Sequence, residues 1–224
     1  MIKKLLTGSK ELTEAMKERG FKQMLRVITI IDVLYALMLY RLFTLMPSPE
    51  ADGITRENIS EIISTSYLNY LAILVGLILI LLYWGQSNLQ YGNMDRTDGR
   101  HSVLSILQVF FLMLYLYYVR LDLEFDGPEL VLALESVTLA LAGFFSVWGW
   151  HFAVKQNMVS KSLTGLEKDK IYLKLMPEPV TAVFTIPFAV FGPGIWTLSW
   201  LLLIPVSWIL KRFRNHMKSK QAED

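Results

Sequence analysis

Long apolar runs separated by short polar loops set the pattern of this chain. The first run is Arg26–Met46, RVITIIDVLYALMLYRLFTLM, and from Val27 onward it is nearly all apolar. Its length, about 20 residues, is that of a helix crossing the hydrocarbon core of a bilayer. A loop rich in Pro, Gly and Asp, PSPEADGITRENISE, breaks it. Further runs follow at Tyr67–Trp84, His101–Val119 and Leu130–Trp150, joined by the links GQSNLQYGNMDRTDGR and RLDLEFDGPE. A basic segment, HFAVKQNMVSKSLTGLEKDKIYLKLMPEP, leads to the last apolar region, Val180–Leu210. Gly192-Pro193-Gly194 divides that region, and Pro187 and Pro205 are placed to kink its two arms. An arm of about 16 residues reaches only about 24 Å. The pair reads as two short spanning helices or as a re-entrant hairpin.

The expected fold is all-α: a polytopic membrane domain over residues 23–212 with six spans, near 26–46, 67–84, 101–119, 130–150, 179–192 and 195–210. A basic, partly amphipathic cytosolic segment, 1–22, precedes it, with Leu5, Leu12, Met16 and Phe21 among its cations. It reads as a helix on an anionic membrane surface or as an anchor beside the first span. A basic cytosolic tail, 213–224, follows. Thr164 and Glu167 have capping-box spacing, predicting a short surface helix near 165–175.

Charge decides orientation. Segments 1–26, 85–100, 151–178 and 211–224 hold 7, 2, 5 and 5 Lys/Arg, all of the 22 except Arg41, Arg56 and Arg120. The alternate loops carry Glu50, Asp52, Glu57 and Glu61, then Asp122, Glu124, Asp126 and Glu129. The positive-inside rule puts both termini in the cytoplasm. The N-terminus lacks the apolar core and cleavage site of a signal peptide, so the first span is expected to insert uncleaved. Hydrophobic residues make up 53% of the chain and the mean hydropathy is +0.39. There is no cysteine, which excludes disulfides and thiolate metal sites. His101, His151 and His216 lack metal-ligand spacing, and no phosphate loop or hydrolase motif is present. No cofactor and no enzymatic activity are expected.

The first span resembles the signature of the transmembrane protein 175 family of potassium channels, an Arg, three intervening residues and then Phe-Ser-Asp. Here that stretch is Arg26-Val-Ile-Thr-Ile30-Ile31-Asp32, and Val33-Leu34-Tyr35-Ala36-Leu37 resembles the run that follows. Ile30 and Ile31 replace the Phe and Ser, Ser87-Asn88 stands near the family's His-His pair, and Ser105 near its Asn early in the third span. The resemblance implies a pore lined by the first helix around a fourfold axis. Carried over, the pore-facing positions are Leu37, Tyr40 and Thr44, with Val33 one turn earlier. These four also form one stripe at 100° per residue. Tyr40 stands where the family has Thr, so a ring of four Tyr either offers hydroxyls to an ion or plugs the path.

Charges at membrane depth are costly and mark functional or tightly packed positions. Asp32 lies about 100° around the helix from the stripe. It reads as a proton or ion relay, or as a buried carboxylate bonded to an indole such as Trp148 or Trp150. Arg41 and Glu135 lie at similar depths from the outer face, about 7–8 Å. They are the candidate intramembrane ion pair; the alternative is that Arg41 reaches outward to the headgroups.

The leading expectation is a homotetrameric, potassium channel-like protein of the plasma membrane with a hydrophobic constriction. A second is a non-conducting sensor or scaffold, and a third a small secondary transporter. Expected partners are membrane lipid, further copies of the chain, a monovalent cation and a cytosolic protein, and not nucleic acid.

Overall fold

The computed structural model describes residues 2–46, 54–65 and 67–221, and within them the side chains from 14 to 212 except 65, 68 and 69. The regular elements described are helices, with one isolated bridge between Met94 and Val159. In chain order they are α1 (Ile2–Phe43), α2 (Ile59–Thr65), α3 (Tyr67–Tyr91), α4 (Gly99–Phe125), α5 (Glu129–Lys155), α6 (Gly165–Leu175), α7 (Pro177–Thr185), α8 (Pro193–Ser199) and α9 (Leu203–Gln221). Short 3₁₀ turns at Ile186–Phe191 and Trp200–Leu202 join α7 to α8 and α8 to α9.

By length and composition, five helical stretches among the described residues are apolar enough to cross a membrane: Tyr70–Tyr91, Gly99–Phe125, Glu129–Lys155, Gly165–Phe191 and Pro193–Arg212. The apolar half of α1 is not one of the five; it carries Arg26, Asp32 and Arg41. The basic segment and the first apolar run form one helix of 42 residues rather than two elements. Within it Met16 and Phe21 are exposed, while the side chains of Leu5 and Leu12 lie outside the described residues. So do the loop 47–53 and the side chains of the tail 213–224.

The centre of the bundle is α5, which packs most extensively against α4 and α7. Its buried face is built from small residues, among them Ala140, Ala142, Gly143, Ser146, Gly149 and Ala153. Small side chains let helix backbones approach closely, which is the main source of helix–helix attraction in lipid. Trp150, Tyr83, Tyr115 and Leu112 fill the spaces between the helices. The first helix lies at the side of this core, against α3 and α4.

The two ends of the bundle differ in charge. At one end the α3–α4 link is tied to α1 and to the segment after α5. Thr97 N donates to Gly20 O at 3.2 Å, Asp95 N to Met158 O at 2.9 Å and Ser160 N to Asn93 O at 3.0 Å. The basic segments meet here. The opposite end holds the acidic turn at Asp122–Glu129 and the Gly-Pro-Gly turn. Gly192 has φ 84°, which only glycine adopts readily, so the last apolar region folds back there as expected. Pro187 sits in the 3₁₀ turn, where the helix is interrupted.

Helix α6 starts where the capping box predicts. Glu167 N donates to Thr164 Oγ1 at 3.3 Å and Thr164 N to Glu167 Oε2 at 2.8 Å.

Candidate functional site

Helix α1 presents two apolar faces. Met24, Val27, Ile31, Tyr35, Met38 and Leu42 recur every three or four residues and are all buried in the chain. The other face is left open: Ile30, Val33, Leu37 and Tyr40 are 51%, 54%, 55% and 67% exposed. Thr44 is exposed too, one residue past the end of α1. Its hydroxyl donates to Arg41 O at 2.7 Å and accepts from Arg41 Nη1 at 3.2 Å. Tyr40 makes no side-chain hydrogen bond among the described residues.

A helix hydrophobic on all sides is at home only in lipid or inside an assembly. Polar groups fix which face of α1 turns inward. Trp84 Nε1, on α3, donates to Asp32 Oδ1 at 3.1 Å. Nearly one turn on, Tyr35 OH meets Ser87 Oγ at 3.3 Å, and Gln108 Nε2 of α4 donates to both oxygens at 3.4 Å. A second cluster joins Tyr91 OH to Ser105 Oγ at 2.7 Å and His101 Nδ1 to Thr97 Oγ1 at 2.8 Å. Gln90 Nε2 reaches Ser146 Oγ of α5 at 2.7 Å. These contacts bind α1, α3, α4 and α5 together, and buried polar networks of this kind set one arrangement against its rotated neighbours.

The network corrects one expectation. The segment after Trp84 was expected as a link, yet α3 continues to Tyr91. Gln86, Ser87, Gln90 and Tyr91 are buried, at 7%, 5%, 5% and 7% exposure. Their helical spacing from Tyr83 is the signal that finds them. Average hydropathy falls there because polar groups satisfy one another across the helices, not because the helix ends.

Asp32 is bonded to an indole, but the carboxylate is exposed rather than buried, and neither Trp148 nor Trp150 supplies the bond. Trp150 Nε1 donates to Lys168 O at 3.2 Å, and Trp148 is 59% exposed and stacked near Phe145. Arg26 is exposed and makes no ion pair among the described residues.

Arg41 and Glu135 are not paired. Equal depth says nothing about azimuth, and within the described residues of one chain the two make no ion pair. Arg41 is exposed at the end of α1, where the outward-reaching alternative needs it. It borders a groove of about 330 Å³ between α1 and α4 with Leu37, Met113 and Arg120. Glu135 is 2% exposed on α5, and its Oε1 has no partner among the described residues. Nearby, Ser136 Oγ accepts from Trp196 Nε1 at 2.9 Å and meets Thr185 Oγ1 at 2.9 Å. Among the described residues no cluster of His, Asp or Glu has the makings of a metal site.

No family model matches the chain, and no curated protein matches it. Solved structures do. A lysosomal potassium-selective channel TMEM175 homolog from Chamaesiphon minutus matches with a TM-score of 0.67 at 14% identity, over 84% of this chain and 98% of that one. A variant of the potassium channel MtTMEM175, in complex with a nanobody–MBP fusion protein, matches with a TM-score of 0.61 at 14% identity, over 85% of this chain and 93% of that one. At that identity the likeness is one of fold: the chain is a multi-pass, all-α membrane protein with the fold of these two channel proteins.

Proposed function

We propose that this chain is a cation channel-like membrane protein whose first helix lines a pore shared by four copies. The observation that carries the reading is the open face of α1. Val33, Leu37 and Tyr40 are more than half exposed in the single chain, while the opposite face is sealed by packing and by the buried Tyr35 hydrogen bond. In a fold shared with two potassium channels, an apolar stripe ending in hydroxyls at Tyr40 and Thr44 suits a dewetting constriction beside a polar ring. A shared axis lets one weakly polar stripe act four times. The apolar half of α1 then adds a sixth span, and the charge pattern places both termini on the cytosolic side of the plasma membrane. Potassium is the cation the resemblance favours.

One observation favours a non-conducting sensor or scaffold instead: Tyr40 is large, and four phenol rings at one level fill a narrow axis.

The chain has no cysteine, so single cysteines give a clean test. Cysteine at Val33 or Leu37 should yield oxidised subunit dimers in membranes, and cysteine at Ile78, exposed on α3, should not. Absence of cross-links at all of Val33, Leu37 and Tyr40 removes the shared-axis reading. For topology, cysteine at Asp126 should label from outside and cysteine at Lys168 only after permeabilisation; external labelling at 168 overturns the orientation. Asp52, on the other acidic loop, should also label from outside; it lies outside the described residues.

A further inference from the structure

We infer that the basic end of the bundle carries a binding site for the phosphate of an anionic lipid headgroup. A cavity of about 690 Å³ opens there. Four chain segments converge on it, and each contributes a cation: Lys17 from α1, Arg96 from the α3–α4 link, Lys161 from the segment after α5, and Lys168 from α6. None of the four makes an ion pair among the described residues. Of the two acids at the rim, Glu18 is already taken by Lys22 at 2.7 Å, which leaves Asp95 against four positive charges.

Like charges brought together without a counterion repel one another. Three of the four segments that carry them are held together by backbone hydrogen bonds rather than by flexible side chains. The bonds from Thr97 to Gly20, from Asp95 to Met158 and from Ser160 to Asn93 fix three of the cavity's walls. An anion bound between the cations turns that repulsion into charge-assisted hydrogen bonds.

The level of the cavity narrows the ligand. It lies just beyond the ends of the apolar segments: α4 begins at Gly99, α5 ends at Lys155, and the apolar run of α1 begins at Val27. That is the headgroup layer. Phe21, 46% exposed, and the buried Val159 supply an apolar side to the same cavity. A free phosphate uses the cations alone, whereas a phospholipid uses the cations and the apolar side together. Basic pockets at the cytosolic ends of membrane helices suit such headgroups. The inference rests on the membrane embedding and orientation proposed above, and not on conduction.

The test uses the full-length protein in a neutral detergent and reads thermal unfolding against added phosphatidylglycerol, phosphatidylcholine or inorganic phosphate. Phosphatidylglycerol should raise the unfolding temperature of the wild type, phosphatidylcholine should not, and inorganic phosphate should act only weakly. The variant K17Q/K161Q/K168Q should lose apparent phosphatidylglycerol affinity by at least about tenfold, since each cation near an anionic surface contributes roughly fivefold before screening. The charge-preserving K17R/K161R/K168R should respond like the wild type. So should K211Q/R212Q, which removes equal-sign charge outside the cavity. If the triple Gln variant does not fold, Lys161→Glu alone should give the same loss. An unchanged lipid response in the Gln variant, or in Lys161→Glu, overturns the site. A full response to inorganic phosphate overturns the lipid source and leaves a soluble anion. A loss of response in K211Q/R212Q equal to that in the Gln variant reduces the effect to general surface charge and overturns it as well.

Discussion

Gly143→Ala is expected to destabilise the protein by about 1–3 kcal/mol, the cost of forcing extra volume into a packed core. Gly143 faces the first turn of α7, where a Cβ would stand 2.6 Å from Pro179 Cβ and 2.8 Å from its Cδ and Cγ. The obstacle is a proline ring fixed to its own backbone, so no side-chain rotation relieves the contact. Pro179 is itself buried, and moving it means moving α7 away from the helix that α7 packs on most. Helix propensity opposes this: alanine in place of glycine favours a helix by about 0.5–1 kcal/mol. The clash must exceed that gain, and at these distances it does. Gly149→Ala is the matched control on the same helix. Its nearest neighbours would be His101 Nε2 at 3.7 Å and Leu104 Cβ at 4.0 Å, which is ordinary contact, so this variant should be neutral or slightly stabilised. The pair is compared by thermal unfolding in one detergent. Equal stability of the two variants would show that α5 and α7 do not meet as described.

Hydropathy carries information about depth along a helix and little about direction around it. That distinction separates what was legible in the chain from what was not. The apolar runs, the Gly-Pro-Gly turn and the Thr164–Glu167 cap are local signals, and α4, α5, the turn at Gly192 and the start of α6 follow them. The continuation of α3 to Tyr91 was hidden because its polar residues are satisfied by partners on α1, α4 and α5. A one-dimensional profile scores Gln90 and Ser146 as two separate costs, although at 2.7 Å they cancel. The proposed Arg41–Glu135 pair failed for the complementary reason. Matching depth brought the two residues to one level, but α1 packs on α3 and α4, and Glu135 is buried on α5. Asp32 illustrates both points. Its need for a donor follows from its place in an apolar run, whereas its exposure and the choice of Trp84 depend on which helix lies beside α1.

Leu37→Ala and Tyr40→Thr are expected to change ion flux in reconstituted liposomes by several-fold, and in different ways. Both follow from the proposed fourfold axis along α1. One substitution per chain then alters four side chains in one plane, so its effect on the narrowest section of the path is multiplied. Leu37 is 55% exposed and stands one turn from Val33, 54% exposed, with no polar atom between them on that face. A ring of leucines excludes water by its size and dryness. Leu37→Ala removes most of both and should raise leak for all small cations. Tyr40 lies one turn further on, about 4.5 Å along the axis, with its hydroxyl unengaged among the described residues. Tyr40→Thr replaces a ring that fills the axis with a small hydroxyl that can replace water around a partly dehydrated ion. It should raise potassium flux more than sodium flux, because the less tightly hydrated ion gives up water more cheaply. If the wild type and both variants are silent while cysteines at Val33 and Leu37 still cross-link, the assembly stands and conduction fails, which favours the sensor or scaffold. If Leu37→Ala raises leak but Tyr40→Thr leaves the potassium-to-sodium ratio unchanged, the constriction is at Leu37 alone and the hydroxyl ring has no part in selection. If neither cross-linking nor flux responds at any position of the stripe, the open face of α1 meets lipid, and the path must be sought on another helix.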